Sequence, residues 1–258
     1  MLTAAVNGID IAYADSGGDG PAVVLSHGYL MDNSMFEHQL AALLPEFRVI
    51  TWDERGFGGT PAPGPFSYWD SARDLLGLLG HLGIGSAVLG GMSQGGFLSL
   101  RAALLAPERV RGLILIDSQA GLEDPAHLDG YEQMETIWQE HGPAPVQEAV
   151  ASVILCPGEW SGWYARWALL DNDGLRHSFR CLVDRDDITS RLGEITCPAL
   201  VVHGTADVAI PMSRAQELHD GLAGKTSLVT VEGGPHAANL THPDEVNAAI
   251  LEFLHGLS

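Results

Sequence analysis

A serine flanked by glycines, set between a strand-like run and a helix-like run, constrains this chain more than any other feature. Residues 88–97 read Val-Leu-Gly-Gly-Met-Ser-Gln-Gly-Gly-Phe, so Gly91 and Gly95 stand two positions either side of Ser93. A sharp strand-to-helix turn strains the backbone of its serine and needs small neighbours. Such a turn lifts the hydroxyl above a sheet and aims the N–H of Gln94 at a substrate carbonyl. The pattern predicts a nucleophilic Ser93; the alternative is an ordinary strand-turn-helix junction.

Strand-like and helix-like segments alternate along most of the chain. The first two strands meet at Asn7-Gly8, a dipeptide typical of a tight hairpin turn. Strands alternating with helices predict an α/β fold, with a mostly parallel central sheet covered by helices on both faces. The predicted strands are 2–7, 9–15, 21–26, 47–52, a strand through 87–89, 110–116, 198–202 and 226–231; the predicted helices are 35–44, 68–82, 97–105, 211–221 and 243–255.

Residues 118–190 break this alternation, because they show helical signals without a convincing strand. We therefore predict an α/β core domain formed by 1–117 and 191–258, with 118–190 inserted after the sixth strand as a helical lid. Four of the chain's six tryptophans lie in this segment, and the last three have helical spacing on a predicted helix 159–170. Either they pack the lid onto the core, or they form an aromatic wall for an apolar or cyclic substrate. These substrate-binding candidates are Trp138, Trp160, Trp163 and Trp167.

Charge and hydropathy narrow the range of partners. With 33 acidic and 13 basic residues the formal net charge is −20, which would repel a nucleic acid backbone. No apolar run approaches the roughly 20 residues that a membrane helix needs. The first ten residues place no basic residue ahead of an apolar block, so we predict no secretory signal and a cytoplasmic protein. The expected partner is a small molecule, with neither nucleic acid nor membrane; a homo-oligomer is compatible with the sequence.

A serine nucleophile needs a base, and the base needs a carboxylate to orient it. In a strand-turn-helix architecture of this kind the acid and then the histidine follow the serine in the chain. Asp207 and His236 each follow a predicted strand, which places both at the carboxyl edge of the sheet. Asp117 also ends a strand and is an alternative acid. His242 is the other histidine near this position. Because it precedes Pro243, it is better explained as the start of the last helix than as the base.

The motifs together resemble the α/β-hydrolase superfamily over almost the whole chain. Each motif alone is short, but all of them occur in the family's order. The matching segments are His27-Gly28-Tyr29, Asp53-Glu54-Arg55-Gly56, Gly91-Met92-Ser93-Gln94-Gly95, His203-Gly204-Thr205-Ala206-Asp207 and Gly234-Pro235-His236.

This resemblance implies a catalytic triad of Ser93 as nucleophile, Asp207 as orienting acid and His236 as general base. It implies an oxyanion hole made by the backbone N–H groups of Tyr29 and Gln94, and chemistry without a cofactor. The chain has no HExxH motif and no histidine pair at metal-ligand spacing, so we predict no metal site.

Comparison with other members of the superfamily narrows the set of reactions expected of this chain. Haloalkane dehalogenases and epoxide hydrolases resemble this scaffold but carry Asp where this chain has Ser93. The segment from His236 to Pro243 is similar to the histidine loop of 3-oxoadipate enol-lactonases and related small esterases. Carbon–carbon bond hydrolases usually show a Trp soon after the histidine, which is absent here, whereas cofactor-free perhydrolases of the haloperoxidase type share the serine and oxyanion motifs.

The sequence therefore predicts a cofactor-free serine hydrolase that cleaves a carboxylic ester or lactone through an acyl-enzyme on Ser93. A perhydrolase or a carbon–carbon bond hydrolase using the same triad is the alternative. A small-molecule receptor without catalysis is a third interpretation, which the presence of all three triad residues disfavours.

Overall fold

Eight strands form one sheet through the centre of the molecule. A computed structural model of the chain describes residues 1–44 and 46–257. The strands are β1 (Leu2–Val6), β2 (Ile9–Asp15), β3 (Ala22–Ser26), β4 (Arg48–Trp52), β5 (Ala87–Met92), β6 (Val110–Ile116), β7 (Ala199–Gly204) and β8 (Thr226–Val231). They lie side by side in the order β1-β2-β4-β3-β5-β6-β7-β8.

Ten α-helices connect or follow these strands in the described residues. Short 3₁₀ turns at Asn33–Phe36, Pro107–Arg109 and Thr189–Glu194 complete the regular structure. The helices are α1 (Glu37–Leu43), α2 (Tyr68–His81), α3 (Gln94–Leu105), α4 (Pro125–His141), α5 (Gln147–Ile154), α6 (Ser161–Trp167), α7 (Asn172–Val183), α8 (Met212–Gly221), α9 (Ala238–Thr241) and α10 (Pro243–His255).

The sheet is parallel except for β2, which pairs antiparallel with both of its neighbours. The hairpin between β1 and β2 turns at Asn7 and Gly8, whose φ angles are 49° and 82°. Positive φ at both central residues is what a type I′ turn requires, and Asn-Gly tolerates it best. The predicted mostly parallel sheet flanked by helices is therefore confirmed, including the hairpin.

Two apolar clusters bury the two faces of the sheet. Successive strand residues point to opposite faces, and within β6 Leu113 and Leu115 join one cluster while Ile114 and Ile116 join the other. Helices α2, α3 and α8 cover the first face, and α1 and α10 cover the second. Because helices bury both faces of the sheet, the sequences of the central strands are continuous apolar runs.

The order of the strands creates a crevice at the carboxyl edge of the sheet. The chain leaves β3 toward β4 on one side, whereas it leaves β5 toward β6 on the other. Loops that diverge in this way open a crevice at the strand ends, and ligands of open parallel sheets bind there. The loops after β3 and β5 face this crevice, so they bring Tyr29 and Ser93 to the same edge.

The segment between β6 and β7 is helical, as predicted. It contains α4 to α7 and the turn at Thr189–Glu194, and none of its residues, all of which the structure describes, forms a strand. Side chains such as Trp138, Val150 and Leu175 pack in the same apolar cluster as β3 residues Val23 and Leu25. The segment therefore shares a core with the sheet; its action as a lid, and the division of the chain into two units, stay predictions.

Among the residues that the structure describes, no helix combines the length and the apolar character needed to cross a bilayer.

Candidate active site

Ser93 stands on the turn between β5 and α3 with a strained backbone. Its φ is 53° and its ψ is −116°, a region that costs a non-glycine residue about 1–3 kcal/mol. Surrounding hydrogen bonds hold it there: its N–H donates to Ile116 O at 2.8 Å, and its carbonyl accepts from Ser118 Oγ at 2.8 Å. The strain predicted from the sequence is present, and it is maintained by strand β6 and the residues after it.

The flanking glycines are required by close backbone contacts. A Cβ on Gly91 would collide with the backbone of Gly95, and a Cβ on Gly95 would collide with the carbonyl of Ser26 at the end of β3. Both contacts are with main-chain atoms, which cannot move aside as a flexible side chain can. The glycine spacing thus lets α3 begin directly against the ends of β5 and β3.

His236 and Asp207 are paired at the neighbouring strand ends. Asp207 lies in the loop after β7 and His236 in the loop after β8, and His236 Nδ1 is 2.8 Å from Asp207 Oδ2. The other carboxylate oxygen, Oδ1, accepts from the N–H of Ala209 at 2.8 Å and of Ile210 at 3.0 Å. With the carboxylate held as an acceptor on both sides, Nδ1 carries the proton and Nε2 is left to act as a base.

Both members of this pair have shifted pKa values. Burial lowers the pKa of His236, but the charge of Asp207 and its hydrogen bond outweigh burial and leave the pKa above its usual value. Burial raises the pKa of Asp207, yet the charge and hydrogen bond of His236 outweigh it and leave that pKa below its usual value. The shifts favour an ionised Asp207 beside an imidazole that becomes protonated readily.

Asp117, the alternative acid, has a different set of partners. It is fully buried, its φ is 47°, and it accepts hydrogen bonds from the N–H groups of Gly204 at 2.7 Å and Ala238 at 3.2 Å. Burial and the nearby Asp207 charge raise its pKa well above the usual value. No hydrogen bond joins it to His236 in the described part of the chain. Asp117 therefore ties the end of β7 to the histidine loop.

Asp117, His203 and Asp207 bring potential metal ligands within 4.8 Å of one another. However, Asp207 Oδ2 already accepts from His236, and His203 Nε2 lies 2.9 Å from the carbonyl of Ile210, to which it donates. A cation here would displace His236 from its carboxylate. The donor set therefore fits a structural hydrogen-bond cluster better than a metal site, and the absence of a metal from the chemistry stays a prediction.

Two backbone N–H groups are free at the crevice. Among the residues that the structure describes, neither Tyr29 N nor Gln94 N donates to a protein acceptor, although both belong to tightly held segments. Gln94 N is at the first position of α3, where helix N–H groups lack intrahelical partners. These are the two donors that the sequence predicted for an oxyanion hole.

A buried histidine, His27, holds the loop that carries Tyr29. His27 Nε2 accepts from the N–H of Glu54 at 2.9 Å, so Nδ1 carries the proton and donates to Gly28 O at 2.8 Å. Burial lowers the pKa of His27, which is consistent with a neutral ring. His27 therefore joins the Tyr29 loop to the loop after β4 by hydrogen bonds.

The same loop is also held by the helical insertion. Trp167 Nε1 donates to the carbonyl of Leu30 at 2.7 Å, and Leu30 has a φ of 63°. Beside it, Arg166 Nη1 forms an ion pair with Asp32 Oδ2 at 2.8 Å. Helix α6 therefore fixes a loop conformation that an unsupported leucine would rarely adopt.

Ser93 and His236 open onto one cavity of about 90 Å³, enough for several waters or a short acyl chain. Its wall is mostly apolar and aromatic. No direct hydrogen bond joins Ser93 Oγ to His236 in the described residues; such bonds are commonly long in unliganded sites and tighten with substrate. The lining residues are Tyr29, Leu30, Met92, Ser93, Phe97, Glu123, Tyr131, Met134, Val150, Val153, Ile154, Phe179, Leu182, Ala209, Ile210 and His236.

None of the four predicted tryptophans lines this cavity, and their contact with a substrate stays a prediction. Trp138 and Trp167 are buried with ring centroids 6.0 Å apart, packing the insertion onto the core. Trp160 precedes α6 and donates to Cys156 O, while Trp163 stacks with Arg166. The helical spacing did not predict that Trp160 lies outside the helix.

Two polar residues of the wall, Glu123 and Tyr131, were not predicted from the sequence. Glu123 lies in the loop after β6, and Tyr131 lies on α4. Neither belongs to a recognisable motif. The one available signal was the position of Glu123, since a loop following a strand of a parallel sheet ends at the edge where ligands bind.

Two family models and several known proteins match this chain. A family model described as "alpha/beta hydrolase fold" matches residues 21–141, and one described as "TAP-like protein" matches 183–257. The chain is 31% identical over 256 residues to "Putative carbamate hydrolase RutD" of Variovorax paradoxus, covering 93% of this chain and 94% of that protein. It is 30% identical to "Putative non-heme chloroperoxidase" of Synechocystis sp., covering 95% of both chains.

Its structure is similar to that of an enol-lactonase from Burkholderia xenovorans LB400. The TM-score is 0.89 with 26% sequence identity, and the match covers 98% of this chain and all of the other. Similarity of this extent includes the helical insertion as well as the sheet.

Proposed function

Because the chain belongs to the alpha/beta hydrolase fold family, as its motifs predicted, we propose that it is a serine hydrolase that cleaves a carboxylic ester or lactone through an acyl-enzyme on Ser93. One observation carries the proposal. The His236–Asp207 pair, with its 2.8 Å bond, borders the same cavity as Ser93 and leaves Nε2 as the available base. A solved neighbour described as an enol-lactonase supports the ester or lactone class.

The first half of the reaction forms the acyl-enzyme. His236 Nε2 takes the proton of Ser93 Oγ as the oxygen attacks the substrate carbonyl carbon, and the imidazolium is stabilised by Asp207. The carbonyl oxygen becomes an oxyanion that accepts from the N–H groups of Tyr29 and Gln94. Removing one such donor costs roughly 3–4 kcal/mol in a hydrolase where this was measured. The intermediate collapses when His236 returns the proton to the leaving alcohol.

The second half regenerates the enzyme. His236 removes a proton from water, the hydroxide attacks the acyl carbon, and the same two N–H groups hold the second oxyanion. The proton then passes to Ser93 Oγ as the acyl bond breaks, which releases the carboxylic acid. Every proton in this cycle is carried by side chains of this chain and by water, so no cofactor is required.

The test is active-site labelling together with Ser93→Ala. A fluorophosphonate probe should label the wild-type protein at Ser93 with a stoichiometry near one, and Ser93→Ala should lose both labelling and ester hydrolysis. Ser99→Ala, on the helix that follows Ser93, is the matched control: Ser99 Oγ donates to Gly95 O, does not line the cavity, and its loss should leave labelling intact. Full hydrolytic activity in Ser93→Ala would refute the mechanism, and tight small-ligand binding without labelling would favour a receptor.

A perhydrolase is the second candidate, because a relative of 30% identity is named a non-heme chloroperoxidase. In that reaction hydrogen peroxide attacks the acyl-enzyme in place of water, and the product is a peroxyacid. Parallel assays with an ester, a lactone, an ester plus hydrogen peroxide, and a vinylogous diketone separate the reactions. Faster acyl transfer to peroxide than to water would favour the perhydrolase, and turnover of the diketone alone would favour carbon–carbon bond hydrolysis.

A further inference from the structure

The cavity beside Ser93 carries one fixed charge, and it is negative. Glu123 is the acidic residue in the wall, and neither Lys nor Arg lines it among the described residues. Tyr131, also in the wall, has a hydroxyl that makes no hydrogen bond within the described part of the chain. Both side chains lie beside His127, whose Nδ1 is 3.9 Å from Glu123 Oε1 and whose ring centroid is 6.2 Å from that of Tyr131. They form a polar end, defined as Glu123 and Tyr131, in an otherwise apolar wall.

Arg185 holds Glu123 in place from outside the cavity. The Arg185 side chain is 1% exposed, and its guanidinium donates to the carbonyls of Gly121 at 3.1 Å and Leu182 at 2.7 Å. A third bond, 3.3 Å long, reaches Glu123 Oε2. Arg185 also lies 4.7 Å from the centre of the Phe97 ring, behind the cavity wall. With this many fixed contacts, the carboxylate of Glu123 is pre-oriented.

Among the described residues, only Oε2 of Glu123 accepts a hydrogen bond. His127 Nδ1 is 3.9 Å from Oε1, which is beyond hydrogen-bonding distance. A carboxylate oxygen with free lone pairs in a cavity wall can accept from water or from a bound donor. Because the protein supplies none to Oε1, a substrate group is the natural partner.

The charge of Glu123 reaches the reacting end of the cavity. It contributes to raising the pKa of His236, after the larger effects of burial and Asp207. A second negative charge placed between these groups would be desolvated and repelled by Glu123, and Arg185, the buried cation behind the wall, is already bonded to Glu123 Oε2 and to two backbone carbonyls. The cavity therefore disfavours the binding of anionic substrates.

We propose that Glu123 and Tyr131 select the substrate: an uncharged ester or lactone with a short apolar body and one hydroxyl, which donates to Glu123 Oε1 and accepts from the Tyr131 hydroxyl. Substrates that carry a carboxylate at this position are excluded. This inference rests on the proposed hydrolase function and names the substrate class for that same site.

The experiment measures kcat/KM for methyl esters of three kinds and of similar length. Methyl butanoate is the apolar reference, each enantiomer of methyl 3-hydroxybutanoate supplies the hydroxyl, and monomethyl succinate supplies the anion. Release of methanol reports all of them. In the wild-type protein we expect one hydroxy ester to exceed the reference and the anion to fall at least tenfold below it.

The variant Glu123→Gln removes the negative charge of Glu123 while keeping nearly the same side-chain shape. Arg185 still needs an acceptor, so the Gln oxygen turns to it and the NH₂ group faces the cavity. Relative to methyl butanoate, the rate on monomethyl succinate should rise about tenfold, and the rate on the hydroxy ester should fall about tenfold. Ratios are used because the changed pKa of His236 affects all the esters alike. Glu140→Gln, an equal charge change at an exposed position of the same helix as Tyr131, should leave both ratios unchanged.

The inference is supported if Glu123→Gln raises kcat/KM for monomethyl succinate and lowers it for the hydroxy ester, each taken relative to methyl butanoate. Any other pattern overturns it. Should Glu123→Gln fail to fold, Tyr131→Phe decides instead: the hydroxy-ester ratio must fall, while the ratio for the anion stays constant. A protein that is labelled at Ser93 and cleaves methyl butanoate, but shows unchanged ratios, refutes this inference alone. A protein that is neither labelled nor active on any ester refutes the proposed function, and this inference with it.

Discussion

Replacing Asp207 by Asn tests the proposed triad with a predictable geometry. Two backbone N–H groups, those of Ala209 and Ile210, donate to Asp207 Oδ1 at 2.8 and 3.0 Å. An Asn side chain must keep its oxygen at that position, because its NH₂ group cannot accept from either N–H. The NH₂ group is then placed against His236 Nδ1 and donates to it.

This reversal changes the tautomer of the proposed base. With Nδ1 accepting, the proton of a neutral His236 moves to Nε2, which can no longer take the proton of Ser93. We expect kcat/KM to fall by about 10⁴, equivalent to about 5 kcal/mol of transition-state stabilisation. The fold should persist, because the two backbone hydrogen bonds are kept.

The assay is hydrolysis of 4-nitrophenyl acetate across the pH range, with the rate of fluorophosphonate labelling as a second readout. The wild-type rate should rise with pH through the pKa of His236, since only the neutral ring can act as a base, and that midpoint should lie above the usual value of 6.5. Without the Asp207 charge the pKa falls, so the residual activity of Asp207→Asn should have its acid limb at lower pH.

Asp117→Asn is the matched control, since it makes the same replacement of a carboxyl by an amide in the same cluster. Asp117 bonds to Gly204 and Ala238 and not to His236, so this variant should lose at most about tenfold in kcat/KM while its melting temperature falls. If Asp207→Asn kept more than about a tenth of the activity, or if Asp117→Asn lost more than Asp207→Asn, the assignment of the acid to Asp207 would be refuted.

Two further substitutions test the supports of the site. Gly95→Ala should destabilise the protein by several kcal/mol, as thermal unfolding would show, because its Cβ collides with the backbone of Ser26; wild-type stability would contradict this close packing. Trp167→Phe leaves Leu30 O without its donor, which costs about 1–3 kcal/mol. Because that loop carries Tyr29, kcat for ester hydrolysis should fall more than KM rises, whereas equal kinetics would show that the bond does not position the loop.

Local patterns were enough to predict the elements around the site. Strand 226–231 and helix 243–255 agree with the structure to the residue, and the Asn7-Gly8 turn has the expected backbone. The pairing of His236 with Asp207 also followed from order and position, because parallel strands end at a common edge. These features depend on neighbours in sequence or on a fixed strand direction.

The wall of the cavity could not be predicted in this way. The predicted helix 159–170 is shorter in the structure, and its tryptophans pack in or against the apolar core cluster and do not line the cavity at Ser93. How a helix is rotated on the sheet depends on contacts such as Trp167 with Leu30, which are 137 residues apart in sequence. Glu123 likewise reaches the cavity through its bond to Arg185, and no periodicity encodes that partner.

The indole of Trp167 makes segment 118–190 part of the scaffold that supports the Tyr29 loop. A chimaera that received this segment from a relative would need to bring an equivalent donor to Leu30 O, or the backbone at Leu30 would relax from its positive φ. Swapping specificity between relatives therefore requires the helices and the β3 loop to be transplanted as a unit. Reshaping the cavity by point changes on α4 or α5, which do not touch that carbonyl, is the safer engineering route.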